Sequence, residues 1–314
     1  MAISTSDAYR KCKININYLS SIILISFSTN LTTRQGDSMG VIFAGIAPHG
    51  DEIVPELVQK MDEKSKILMN AMIKFSDALH NKNPDLIVIA TPHNLRLLGY
   101  MGIIATSFAQ GVWSTQYGSI SVKVRCNREF ARKLYDLSIG YDLPVVLVNY
   151  GVAEGELSNM CLDWGTIIPL WFIKNRYEES KKDLPPVVIV TPSREIPWEN
   201  LVKLGELIAD VADELEIKTA FIASADQGHA HDPNGPYGYD EASKLFDEYV
   251  LDAVKSNNLG KLLKLTPEFI EKAKPDSFWQ MLILHGVLKR TKLRNTMNVY
   301  ECPTYFGMLV AIYE

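Results

Sequence analysis

VIFAGIAPHG (residues 41–50) and DLIVIATPHN (residues 85–94) share one design: an apolar run that stops at a proline and presents a histidine. Apolar runs of this length, bounded by breakers, read as buried strands. Proline disfavours helix in the residue before it and has no N–H to give a ladder, so each strand ends there. His49 and His93 are thereby delivered to a sheet edge. Two imidazoles presented this way suggest a metal site.

From Met39 onward, further apolar runs alternate with helical periodicity, the signature of a sheet covered by helices on both faces. A long amphipathic stretch, PELVQKMDEKSKILMNAMIKFSDALH, follows the first strand and ends at Asn83-Pro84. GIIATSF and SISVKVR read as more exposed or edge strands, and REFARKLYDLSIGY as a helix. VVLVNY, PPVVIVTPS and TAFIASAD read as core strands. DWGTIIPLWFI is expected to start a helix under the site, ENLVKLGELIADVADELE and SFWQMLILHGVLKR are helical, and NVYECPTYFGMLVAIYE is a closing strand. The expected architecture is a single three-layer α/β/α domain with a mostly parallel or mixed central sheet over residues 39–314. Residues 1–38 carry a short serine-rich apolar stretch behind Arg10, Lys11 and Lys13, and read as a poorly structured extension.

Composition narrows the function. With 314 residues, 47% hydrophobic and 22% charged, the chain has ample material for a buried core. Its net charge of −5, with acids and bases interspersed, offers no basic stripe for phosphates and argues against nucleic acid. No stretch is long and apolar enough to read as a confident membrane span. Cys12, Cys126, Cys161 and Cys302 lie far apart, without a C-x-x-C pair, and read as reduced thiols in a cytoplasmic protein. The apolar run GMLVAIYE fits either a homodimer surface or a core strand.

The six histidines divide by context. His80 closes a polar helix and His285 lies in an apolar helical run; both read as structural. His49, His93, His229 and His231 all follow apolar strands, and a parallel sheet gathers such residues at the edge where open α/β folds hold ligands. His231 lies two residues from His229, which in extended chain points it the same way. Neutral imidazole suits Fe, Zn, Cu or Ni, and two such ligands with a carboxylate leave positions open. Asp276 is a candidate carboxylate, although an aspartate at a helix start also caps free N–H groups. Asn94 reads as a substrate hydrogen-bonding group or a turn former, and Asp51 and Glu52 as partners that orient an imidazole.

These motifs together resemble the class III extradiol ring-cleavage dioxygenases of the LigB type, whose distant relatives include the Memo proteins. The resemblance runs from about Met39 to the C-terminus. It implies that His49 and His93 bind ferrous iron and that His229, in SADQGHAHDPNGP, is the acid-base residue. DWGTIIPL (163–170) is similar to the family's Asp-His-Gly-Thr-x-x-Pro-Leu segment, with Trp164 where a substrate-lining histidine is usual. The family's glutamate ligand near the start of the late helix has no counterpart in AKPDSFWQMLIL, where Trp279 or Gln280 falls at its place and Asp276 lies one turn earlier. The implied reaction is Fe(II)-dependent cleavage of a catechol-type aromatic by O2, with aromatic catabolism as its setting. A non-catalytic, Memo-like metal- or protein-binding member and a Zn(II)-dependent hydrolase are the alternatives.

Overall fold

The apolar run that ends in His49 pairs on one side with the run TAFIAS and on the other with the C-terminal strand, and this pairing seeds the sheet. The computed structural model describes residues 39–314, which build a single α/β domain; the extension expected over residues 1–38 lies outside the described residues. Its strands are β1 (Val41–Ala47), β2 (Leu86–Ala90), β3 (Met101–Ile104), β4 (Phe108–Ser114), β5 (Ser119–Arg125) and β6 (Val145–Val148). They continue with β7 (Asn159–Cys161), β8 (Val187–Thr191), β9 (Thr219–Ser224), β10 (Asn295–Glu301) and β11 (Met308–Tyr313). The helices are α1 (Glu63–Lys82), α2 (Arg128–Gly140), α3 (Trp164–Glu179), α4 (Trp198–Glu214), α5 (Glu241–Lys255), α6 (Pro267–Ala273) and α7 (Phe278–Lys289).

Eight strands form the main sheet in the order β10-β11-β1-β9-β2-β8-β3-β6. The central four, β1, β9, β2 and β8, are mutually parallel, whereas β11 and β3 flank them antiparallel. β2, β8 and β9 are buried at every residue, as expected for strands covered on both faces. α2, α4, α5, α6 and α7 cover one face. α1, α3 and a small sheet of order β5-β4-β7 cover the other. Among the described residues, no helix is long and apolar enough to cross a membrane.

Several expectations are corrected. The first helix begins only at Glu63, because Asp62 caps it by accepting from Ser65 N–H and short 3-10 turns occupy residues 51–53 and 55–57. Its end is as read, with Asn83 in the left-handed region at φ 49°. GIIATSF is not an exposed strand: β3 is wholly buried between β8 and β6. SISVKVR is the more exposed edge strand it reads as, at the border of the small sheet, where strict alternation of exposed and buried residues marks one wet face. VVLVNY supplies the edge strand β6 rather than a core strand. The closing strand is a hairpin, because Pro303 and Gly307 interrupt it between β10 and β11. β11 is buried throughout, which leaves its apolar residues no part in a homodimer surface.

α4 and α7 cross with their backbones nearly touching. A Cβ on Gly286 would collide with the Val202 carbonyl, and one on Gly205 with that of Ile283. Gly286→Ala therefore forces the helices apart and should cost about 1–3 kcal/mol, the usual range for overpacking. Urea unfolding should show it as a lower midpoint at unchanged slope; an unchanged midpoint would contradict the close crossing.

Candidate active site

Because β1, β9, β2 and β8 are adjacent and parallel, the loops that leave their C-terminal ends meet at one edge. His49 follows β1, His93 follows β2, Asp226 and His229 follow β9, and Arg194 follows β8. The start of α7 adds Asp276, whose N–H donates to Asp226 O at 3.1 Å. His49, His93, Asp226, His229 and Asp276 share a cavity of about 310 Å³ with Trp113, Trp164, Tyr237 and Tyr305.

The protonation of His49 follows from its neighbours. Ser224 commits its hydroxyl proton to the carbonyl of Gly165. Its oxygen can then only accept, at 2.9 Å, from Nδ1–H of His49. His49 Nε2 is left with a lone pair, 3.0 Å from His93 Nε2, which acts as donor between the two rings. His229 is fixed in the same way: its Nδ1 lies 2.7 Å from Gln227 O, an acceptor only, so its Nε2 is also bare.

Asp276 faces these rings. Its Oδ2 lies 3.5 Å from His93 Nε2 and 3.9 Å from His229 Nε2, and its Oδ1 accepts from Arg194 Nη2 at 2.5 Å. It does not cap α7: Ser277 holds the N-cap position, and no side chain completes that cap. Gln280 turns away from the cavity, donating to Ser224 O and Asp276 O at 2.9 and 2.6 Å. Asp226, which sequence reading did not single out, accepts from His49 N–H at 3.1 Å and places Oδ2 3.3 Å from His49 Nε2. An acid directly behind the apolar strand TAFIAS was the available signal.

Burial dominates the electrostatics. It pushes His49 well below the ordinary imidazole range, assisted by repulsion from His93, and it lowers His93 and His229 against the pull of Asp276. All three rings are therefore neutral at pH 7, the form that ligates metal. Burial also raises Asp226 well above the carboxylate range. At Asp276 burial acts upward too, but His229, His93 and Arg194 together outweigh it, and the carboxyl ends below its usual range.

Aromatic rings wall the cavity. Trp164 stacks on His93 with centroids 4.1 Å apart, and Trp113 stacks on Trp164 at 5.1 Å. Phe306 lies nearly parallel to His229 at 4.9 Å. Trp113 also donates from Nε1 to Asp51 at 2.5 Å, so Asp51 orients the wall and not an imidazole. The remaining candidates fall elsewhere. Asn94 ties a turn, donating to Cys161 O and Asp163 Oδ2 at 3.1 Å each and accepting from Leu95 N–H. His231 does not join His229, because the loop turns back to bridge with Tyr239 and the ring meets the buried Asp247 at 2.9 Å. Asp247 also accepts from Tyr300 OH and Gly228 N–H, at 2.6 and 2.7 Å, and so anchors the loop that carries His229.

The donors suit a divalent metal. Cis ligands bound at about 2.1 Å lie about 3 Å apart, which is the His49–His93 spacing of 3.0 Å. Asp276 stands slightly farther out at 3.5 Å. Among the described residues no group of three or more His, Cys, Asp or Glu side chains is arranged to hold a metal ion; the two imidazoles are the pair that stands adjacent.

Comparison with known proteins agrees with this architecture. Residues 44–312 match the LigB family, described as the catalytic LigB subunit of aromatic ring-opening dioxygenase. Protein CA_C1420 of Clostridium acetobutylicum is 25% identical over 257 residues, covering 82% of this chain and 54% of that protein. The chain thus spans about half the length of that relative. The crystal structure of the uncharacterised protein JW3007 from Escherichia coli K12 superposes with a TM-score of 0.50 at 16% identity, covering 88% of this chain and 100% of that one. That likeness speaks to the fold.

The buried histidines make a pH prediction. Their pKa values lie below the unfolded value of 6.5, so the unfolded chain binds more protons as pH falls through that point. Their contribution to stability is present above pH ~6.5 and is lost below it, down to the folded values. In chelator-treated protein, His229→Gln removes one such group. Its unfolding free energy should therefore fall less steeply than the wild type's below pH ~6.5; parallel curves would show that His229 is not held neutral.

Proposed function

The chain belongs to the LigB family, and from that premise we propose that it is a non-haem Fe(II)-dependent extradiol dioxygenase that opens a catechol-type ring with O2. The observation that carries this reading is the pair of imidazole nitrogens at 3.0 Å, the bare Nε2 of His49 and the Nε2 of His93 that donates to it, set beside Asp276 and a third neutral imidazole. Under this reading His49, His93 and Asp276 hold the metal, forming a two-histidine, one-carboxylate set with open positions. When bound, ferrous iron supplies a template for the diol and the electrons needed to activate dioxygen.

The protein's own residues supply binding and proton transfer. The indoles of Trp164 and Trp113 and the ring of Phe306 offer flat apolar walls to an aromatic substrate. His229 stays off the metal and works on the substrate. Its Nε2 is unprotonated, so it accepts a proton from the diol and returns one to oxygen during ring opening. Burial keeps this ring neutral and therefore available as a proton acceptor at pH 7. Trp164 replaces a hydrogen-bonding histidine with an indole, which suits a substrate held more by stacking than by polar contacts.

Anaerobic loading with Fe(II), followed by oxygen uptake on a panel of catechols, tests the proposal. His49→Ala and His93→Ala should lose iron, whereas His229→Ala should keep it and lose about 10²–10⁴-fold in turnover, the usual worth of acid-base catalysis. Iron bound without oxygen uptake on any catechol would overturn the dioxygenase reading. Tight zinc with no role for oxygen would replace it with the hydrolase.

A further inference from the structure

Arg194 is absent from every motif read above, yet it touches Asp276 directly. It sits in the loop after β8, and its Nη2 donates to Asp276 Oδ1 at 2.5 Å. The guanidinium also lies 4.3 Å from the ring centroid of Trp279, three residues farther along α7. Two residues at the head of one helix thus grip the same planar cation. The carboxylate's oxygens are divided: Oδ1 serves Arg194, while Oδ2 is the atom nearest His93 and His229, at 3.5 and 3.9 Å.

The backbone of Asp276 is fixed independently, since its N–H donates to Asp226 O and its carbonyl accepts from Gln280 Nε2. The side-chain torsions have no other hydrogen-bonding partner than Arg194 among the described residues. We infer that Arg194 is a positioning residue, which holds the Asp276 carboxylate so that Oδ2 alone is offered to a metal between the imidazoles. The inference rests on the reading of Asp276 as a ligand. A bidentate-capable, stacked guanidinium suits the task better than a lysine, whose ammonium is a rotating point charge. Ion pairs at exposed surfaces are worth little, but here the carboxylate is only 20% exposed and the arginine is immobilised by an indole.

Co(II), which is stable in air and reports its ligands by its visible absorption, is the probe. Chelator competition on the full chain should show Arg194→Gln weakening Co(II) about 10- to 100-fold, the usual effect of losing a partner that orients a ligand. The visible spectrum of the bound ion should shift as well. Asp276→Asn should weaken binding at least as much, and the double variant no further than Asp276→Asn alone. Arg194→Lys should fall between wild type and Arg194→Gln, and it carries the same cycle should Arg194→Gln not fold. Wild-type affinity in Arg194→Gln beside a loss in Asp276→Asn would overturn the role of Arg194 and leave the ligand in place. An equal loss from Arg194→Gln in both backgrounds would also overturn it, by placing its action elsewhere. Wild-type affinity in Asp276→Asn would overturn the ligand reading and this inference together.

Discussion

The hydroxyl of Ser224 has one proton, and the fold spends it on the carbonyl of Gly165. This small commitment joins three elements, because Ser224 ends β9, Gly165 opens α3 and His49 follows β1. It leaves the serine oxygen as an acceptor and therefore dictates which nitrogen of His49 carries hydrogen. Gly165 must lack a side chain for the helix to approach this closely, since a Cβ there would meet Asp163 Oδ1 and Thr91 Oγ1 at 2.8 Å and His93 Cδ2 at 3.2 Å. Asp163 caps α3 through Thr166 N–H and accepts from Thr91 at 2.7 Å, which anchors that helix to the end of β2. The tautomer of one imidazole is thus set by the register of two parallel strands and the cap of a helix.

The same packing governs charge. Three imidazoles are held neutral by burial, and within the cavity Asp276 is the carboxylate whose pKa is lowered. Asp226, Asp51 and Glu52 are all raised, with burial the largest cause in each. A site with neutral rings and one firmly anionic oxygen donor matches the charge pattern of a two-histidine, one-carboxylate metal centre. Aromatic walls on two sides lower the local dielectric, and that strengthens every remaining electrostatic interaction in the cavity.

The legible parts of the chain were those where local sequence determines geometry. Pro48 and Pro92 end their strands whatever the rest of the fold does, so His49 and His93 could be placed at a shared edge from sequence. His229 followed from the apolar run before it. Asp276 stayed ambiguous, because the choice between capping α7 and facing the cavity depends on Arg194, a partner 82 residues away. Arg194 lies one residue farther past its proline than the two histidines do past theirs, with Ser193 at the matching position, so the strand-proline pattern pointed to its loop but not to its side chain. His231 was misplaced by assuming extended chain through DQGHAHDPNGP, where the turn that pairs it with Tyr239 redirects the ring to Asp247. The burial of β3 and the separate sheet of β4, β5 and β7 are tertiary facts, and short apolar runs do not announce their neighbours.

His49 and His93 are held by different means, and the difference bears on how the pair could exchange a proton for a metal. His49 is locked by a hydrogen bond at Nδ1. His93 is oriented by the face of Trp164 at 4.1 Å, and no hydrogen bond from the described residues reaches its Nδ1. Stacking fixes the plane of an imidazole but is indifferent to which nitrogen carries hydrogen. His93 can therefore donate to His49 from Nε2, and under the proposed reading it would carry its proton on Nδ1 when both Nε2 atoms serve as ligands. Trp164, which departs from the histidine of the related motif, thus holds the His93 ring in place while leaving its protonation free to change.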